Sequence, residues 1–228
     1  MVTAHPDDVD FGTAGSVAAW TAAGSAVTYC VITDGDAGGF DPEVPRDRIP
    51  GIRRAEQTAA AAAVGVSDLV FLGYPDGSLQ PTLDLRRDIT RVIRQVRPDR
   101  VVTQSPERNW DRIFASHPDH LAAGEAAVCA VYPDARNPFA FPALAAEGLE
   151  AHTVGELWLM ASPRADTFVD VTDTFPQKLA ALRAHVSQET DRDGRLEARL
   201  RDWLGATAAL AGLGPGRLAE AFQRVATT

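Results

Sequence analysis

The chain has 228 residues, 45% of them apolar and 23% charged, and a formal net charge of -9. That is enough chain for one sizeable hydrophobic core. The acidic balance, with no basic patch anywhere, argues against nucleic acid or an anionic membrane surface as partner, because their phosphates would be repelled. There is no run of about 18 apolar residues to span a membrane and no charged-then-apolar leader, so cytoplasm is the expected compartment.

Val2-Thr3-Ala4 reads as the tail of a strand leading into His5. Small residues from Thr13 to Ala23 predict a helix ended by Gly24. Ala26 to Thr33 is a continuous β-branched run, as expected of a strand buried on both faces. A glycine- and aspartate-rich loop, Asp34 to Gly39, follows and runs on to about Pro50. Gly51 to Val64 predicts an alanine-rich helix closed by Gly65, and Leu69 to Leu72 a short strand before the turn Gly73-Tyr74-Pro75-Asp76-Gly77. Leu85, Ile89, Val92, Ile93 and Val96 form a helical stripe within Leu83 to Val96. Pro98 stops it, and Arg100 to Gln104 is the next strand. Leu121 to Val131 predicts a helix, and Tyr132 to Ala151, rich in proline and alanine, a long irregular excursion. Val154 to Met160 and Thr167 to Val171 read as strands, Phe175 to Val186 and Leu196 to Leu210 as helices.

Strands alternating with helices predict an α/β fold, a mostly parallel doubly wound sheet with helices on both faces. One domain over residues 1–228 is expected, with the C-terminal helices from about residue 174 packed on it. Cys30 and Cys129 lie far apart in apolar contexts and read as small buried hydrophobes, not as a bridge or metal pair.

In open α/β sheets the ligand crevice lies beyond the carboxyl ends of the strands. Two similar strings fall there, His5-Pro6-Asp7-Asp8 and His117-Pro118-Asp119-His120, holding three of the five histidines. Each aspartate alone could serve as a helix N-cap. Together, imidazoles and carboxylates brought from two strand ends to one crevice are what a divalent metal with an open position needs. Two histidines and a carboxylate form a hydrolytic zinc set, and a further carboxylate and histidine suit general-base and oxyanion roles. The spacing does not tell Asp7 from Asp8 in these roles.

Ala4-His5-Pro6-Asp7-Asp8 before a glycine- and alanine-rich helix, Thr33-Asp34-Gly35-Asp36-Ala37-Gly38-Gly39 after the second strand, Arg53-Arg54-x-Glu56, Gly73-Tyr74-x-Asp76-Gly77 and the later His-Pro-Asp-His string resemble the PIG-L / LmbE-like deacetylase family. The likeness is dense over about residues 2 to 125 and weaker over the Lys178 to Gln188 helix. It implies a Rossmann-like three-layer fold and removal of an N-acetyl group from a glucosamine-type sugar with a single zinc. It further implies His5, Asp8 and His120 as zinc ligands, Asp7 as general base, and His117 facing the tetrahedral oxyanion and oriented by Asp119. Arg53 (or Arg54) and Asp76 match positions that contact sugar hydroxyls in relatives. A small amino-sugar conjugate is the implied partner, homo-oligomerisation is compatible, and iron(II) is an alternative resident metal.

The Asp34 to Gly39 loop lacks the lysine and glycine spacing of a phosphate loop and reads as a crevice wall, with Asp34 or Asp36 supporting the site from behind. His152 reads as a solvated loop histidine, His185 as a packed helix histidine, and Trp110 as partly buried, with sugar stacking as the alternative. Two rival functions remain at this point. Two histidines and one carboxylate also fit a non-haem iron(II) oxygenase. A non-catalytic sugar- or metal-binding relative is the other.

Overall fold

Seven strands form one sheet in the order β3-β2-β1-β4-β5-β7-β6 in the computed structural model, which describes residues 1–188, 191 and 193–228. The strands are β1 (Val2–Thr3), β2 (Thr28–Thr33), β3 (Asp68–Tyr74), β4 (Arg100–Gln104), β5 (Glu156–Met160), β6 (Thr167–Asp170) and β7 (Ala219–Ala226). β1 to β5 pair in parallel, while β7 runs antiparallel to both β5 and β6. The helices are α1 (Asp8–Ala22), α2 (Ile49–Ala63), α3 (Leu83–Val96), α4 (Pro118–Cys129), α5 (Pro142–Ala146), α6 (Phe175–Arg183) and α7 (Leu196–Leu210). α1, α2 and α6 pack together on one face, and α3 and α4 on the other. This is the layered α/β fold expected from strand–helix alternation.

Local chemistry explains the well-predicted elements. β2, Thr-Tyr-Cys-Val-Ile-Thr, is buried along all but its first residue, so both of its faces must be apolar or paired. In α3 the stripe Leu85, Ile89, Val92 and Ile93 is buried, the Thr82 side chain accepts the Leu85 N–H at 3.2 Å, and Arg97 ends the helix in the left-handed conformation. Cys30 and Cys129 are both free thiols.

Three features differ from the sequence reading. α1 begins at Asp8 and α4 at Pro118, earlier than the apolar periodicity indicated, so both histidine strings run straight into helix starts. The excursion after Tyr132 contains α5 and is pinned by buried Arg94, which donates to the carbonyls of Asp134, Asn137 and Ala140 at 3.1, 2.9 and 3.2 Å. β7 was not foreseen: its alanine, glutamate, glutamine and arginine favour helix, and sheet pairing overrides that propensity. Its Phe222 is buried with its ring centroid 5.2 Å from that of Trp158.

β1 lies between β2 and β4, so the chain reverses its order across the sheet at the β1–β4 junction, where a doubly wound sheet opens its ligand crevice. α4 comes close to the end of β4 there. A Cβ on Gly124 would lie 2.4 Å from the Gln104 carbonyl oxygen and 2.9 Å from the Pro106 nitrogen, both backbone atoms. Among the described residues no helix is long and apolar enough to cross a membrane. Gly124→Ala is expected to lower stability by about 1–3 kcal/mol through overpacking, measured by urea unfolding.

Candidate functional site

His5 leaves the end of β1, and Pro6 and Asp7 turn the chain into α1, whose first residue is Asp8. His117 follows β4 on the opposite side of the junction and serves as N-cap of α4, its Nδ1 accepting the Asp119 N–H at 3.2 Å. The two strings meet at Asp8. Its Oδ2 lies 3.2 Å from His5 Nδ1 and its Oδ1 2.9 Å from His120 Nε2. Gln104 Nε2 and the His5 backbone N–H donate to Oδ2 at 2.8 and 2.7 Å. Burial works against the charged form of Asp8, but His120 and His5 overcome it and hold the carboxyl well below its usual range.

Each histidine has its remaining nitrogen occupied. Carboxylates can only accept, so His5 Nε2 donates to Asp76 Oδ1 at 3.0 Å and Asp119 Oδ2 at 3.3 Å. His120 Nδ1 faces the Ala115 carbonyl at 3.3 Å. The free directions, His5 Nδ1 and His120 Nε2, both point at the Asp8 carboxylate. Burial alone would lower His5, yet Asp8, Asp119 and Asp76 push it up to about 12, and Asp8 likewise outweighs burial to raise His120. Positive charge is what this cluster demands.

The donor set fits a divalent metal. Tetrahedral zinc with bonds of about 2.0–2.1 Å places its ligand atoms about 3.3 Å apart; His5 and His120 approach Asp8 at about this spacing, each at a different carboxylate oxygen. One ligand atom from each of His5, His117 and His120 falls within 4.8 Å of the others, as does one from each of His5, Asp76 and Asp119. Carboxylates behind a histidine ligand fix its tautomer and ring orientation, and Asp76 and Asp119 stand in that relation to His5.

Asp7 adopts φ 90° and ψ -26°, a left-handed conformation that favours glycine. It makes no side-chain cap. Instead its N–H donates to Gln57 Oε1 at 2.8 Å and its carboxylate accepts from Arg53 Nη2 at 3.1 Å. Burial raises the Asp7 carboxyl to about 6; Arg53 opposes the rise and Asp8 adds to it. His117 is exposed, and burial followed by the neighbouring His5 and His120 lowers its pKa. With Nδ1 accepting a backbone N–H, a neutral His117 carries its proton on Nε2 and can donate from there.

Several residues given roles by the resemblance have their side chains engaged within the protein. The Asp119 carboxylate does not orient His117. It binds His5 and accepts the Gly77 and Leu79 N–H groups at 2.7 and 3.1 Å. Asp76 is likewise taken up by His5, and the Ala37 N–H donates to its other oxygen at 3.3 Å. Arg53 is 3% exposed and ties Gly35 O, Pro6 O and Asp7 together, so its guanidinium is committed to the turn. Arg54 pairs with Asp34 at 2.6 Å. Asp34 thus serves a helix surface, whereas Asp36 does reach behind the site, accepting the Asp76 N–H at 2.9 Å.

Trp110 is 79% exposed, contrary to the buried reading. His152 is half-buried and bonds the Pro98 carbonyl, and His185 is fully buried against Asp10 at 2.8 Å. The sequence reading missed Gln104 and Gln57. The signal for Gln57 was available: Arg53, Gln57, Ala60 and Ala61 are the buried stripe of α2, so two polar residues occupy its core-facing side.

The family model described as PIG-L: GlcNAc-PI de-N-acetylase matches residues 1–131, and the chain belongs to this family. It is 33% identical to a diacetylchitobiose deacetylase of Thermococcus kodakarensis, over 81% of this chain and 67% of that protein. It is 30% identical to a probable N-acetyl-alpha-D-glucosaminyl L-malate deacetylase 2 of Bacillus anthracis, over 89% of this chain and 86% of the other. Among solved structures, N,N'-diacetylchitobiose deacetylase from Pyrococcus horikoshii superposes with a TM-score of 0.90 at 28% identity, covering 99% of this chain and 82% of that one. The oxygenase alternative finds no support in these relatives.

If Asp76 orients a metal ligand, Asp76→Asn should weaken zinc binding about 10- to 100-fold in calorimetric titration. An unchanged zinc affinity would return Asp76 to the sugar-contact role.

Proposed function

We propose that this chain is a metal-dependent N-deacylase that hydrolyses the N-acetyl (or other N-acyl) amide of a glucosamine-type sugar or its conjugate. The observation that carries the reading is the Asp8 carboxylate bridging His5 and His120, with Asp7 at the adjoining turn. The named deacetylases among its relatives support the same chemistry.

His5, Asp8 and His120 would hold the metal, with zinc the best fit to two imidazoles and one carboxylate and iron(II) the alternative. When bound, such an ion polarises an amide carbonyl and lowers the pKa of a water towards about 7. Asp7 takes the proton of the attacking water: its carboxyl, raised by burial, is basic enough to accept and is held at a fixed angle by Arg53. His117 donates a hydrogen bond from Nε2 to the oxyanion as the carbonyl carbon becomes tetrahedral, and Asp7 passes the proton it took from the water to the departing nitrogen. Arg53 and Gln57 keep Asp7 in its left-handed turn, a strained conformation that the surroundings must enforce. A pure binding module would have no use for a strained carboxylate held beside the ligands, which favours the catalytic reading over the non-catalytic one.

The test is acetate release from N-acetylglucosamine and diacetylchitobiose, with and without a chelator. Metal-dependent release is expected; its absence from every N-acetyl sugar tried would sink the proposal. Asp7→Asn should keep the metal and the fold yet lower turnover by about 10² or more. His117→Ala should do the same by about 10²–10³. His5→Ala should instead lose the metal. Metal content measured beside turnover separates the two kinds of residue, and parallel loss of both in all three variants would refute the assignment.

A further inference from the structure

A cavity of about 600 Å³ opens beside Asp8 and His120 and extends towards α7. Its walls are largely hydrocarbon, with Phe11, Phe114, Met160, Leu200, Trp203 and Leu204 facing it. Most of the polar side chains that reach it are engaged elsewhere. Glu220 is paired with Lys178 at 2.7 Å and accepts the Gly15 and Ser16 N–H groups at 3.1 and 2.8 Å. Arg199 pairs with Asp193 at 2.8 Å, and the Ser162 hydroxyl donates to Gln223 at 2.7 Å. Gln104 is held by Asp8. The Arg112 guanidinium lies 4.9 Å from the Trp203 ring and 5.1 Å from that of Phe114, within cation–π reach of both.

A sugar ring needs hydrogen bonds for each hydroxyl it buries, and this cavity leaves few groups open to make them. An alkyl chain needs none. The position of the cavity matters as much as its chemistry. Asp8 and His120 line it, whereas Asp7 and His117 do not. In the reaction proposed above the oxyanion sits at His117, and the attacking water and the leaving nitrogen at Asp7. The substituent of the amide carbon left for the cavity is the acyl chain. An acetyl methyl is comparable in size to one water, ~30 Å³, and would leave nearly all of the apolar wall facing water.

We propose that this cavity is an acyl subsite, and that the preferred substrates carry an N-acyl chain of about six to ten carbons, filling on the order of half of it at ~30 Å³ per carbon. The inference rests on the deacylase reading and deepens it. Water adds its oxygen to the acyl carbon and the C–N bond breaks. The products are a medium-chain carboxylate and a protonated amino sugar.

The experiment compares kcat/KM for glucosamine bearing N-acetyl, N-butanoyl, N-hexanoyl and N-octanoyl groups, alongside calorimetric binding of acetate and decanoate to the metal-loaded protein. kcat/KM should rise about two- to fourfold with each methylene until the chain fills the cavity, and decanoate should bind where acetate barely does. Ala221 lines the cavity from β7 and plays no part in the chemistry. Ala221→Phe should leave N-acetyl turnover within about twofold of the parent, since only the methyl-sized end is then occupied, and flatten the chain-length dependence. Ala165→Trp, at the exposed rim, repeats the test where no core packing is at risk. Acetyl turnover with no gain on lengthening, or no decanoate binding, overturns the acyl subsite. Decanoate binding without cleavage of any amide overturns the deacylase reading and, with it, the claim about substrates.

Discussion

Burying a carboxylate is costly unless its charge is matched, and Asp8 sits with its side chain only 11% exposed between two imidazoles from distant parts of the chain. That match is possible only if β1 and β4 are neighbours, because His5 leaves β1 while His120 belongs to the helix that follows β4. The reversal of strand order at this junction therefore does more than open a crevice. It brings Gln104 from the end of β4 to hold Asp8, and lets the same Gln104 accept the Ala4 N–H at 3.1 Å, stitching the two strand ends together. Without that junction Asp8 and His120 would lie at separate strand ends, and Asp8 would lose one of the two imidazoles that neutralise it.

Behind the first ring of residues lies a second, made of groups that the chain's motifs suggest for contact with sugar. Asp76 and Asp119 face His5, and Arg53 faces Asp7. Each is a charged group whose burial is compensated by a partner in the site. The arrangement stiffens the site at the expense of contacts: the histidine ring, the strained aspartate and the turn between them are fixed before anything binds.

The layered sheet and the meeting of the two histidine strings were legible because they rest on strong local signals: β-branched runs, helical stripes, and proline after histidine at strand ends. Less legible was anything decided by tertiary pairing. β7 carries helix-favouring residues and becomes a strand only because β5 and β6 offer it partners. The direction of the Asp119 carboxylate could not be read from His117-Pro118-Asp119, since it depends on where the Gly77–Leu79 backbone passes. Gln57 lay within reach of sequence reasoning, because a glutamine four residues after an arginine on the buried side of a helix needs a buried partner.

The C-terminal region is tied to the site through α1. Lys178 on α6 donates to the Asp10 and Phe11 carbonyls at 2.8 and 2.7 Å, and Glu220 on β7 accepts from two N–H groups further along the same helix. Side chains that engage a helix's own backbone groups in mid-course fix its axis, and both members of this ion pair are buried. A Cβ on Gly15 would lie 2.7 Å from Val171 and 3.2 Å from Glu220, so only glycine lets the pair approach. The start of α1, where Asp8 sits, is thus braced from the far side by residues after 170. Those same segments supply about half of the apolar wall beside the site. Every residue assigned to the chemistry lies within the first 120 positions. The later half of the chain therefore shapes what reaches that chemistry, and a change of substrate within this fold can come from α7 and β7 with the Asp8 clamp untouched.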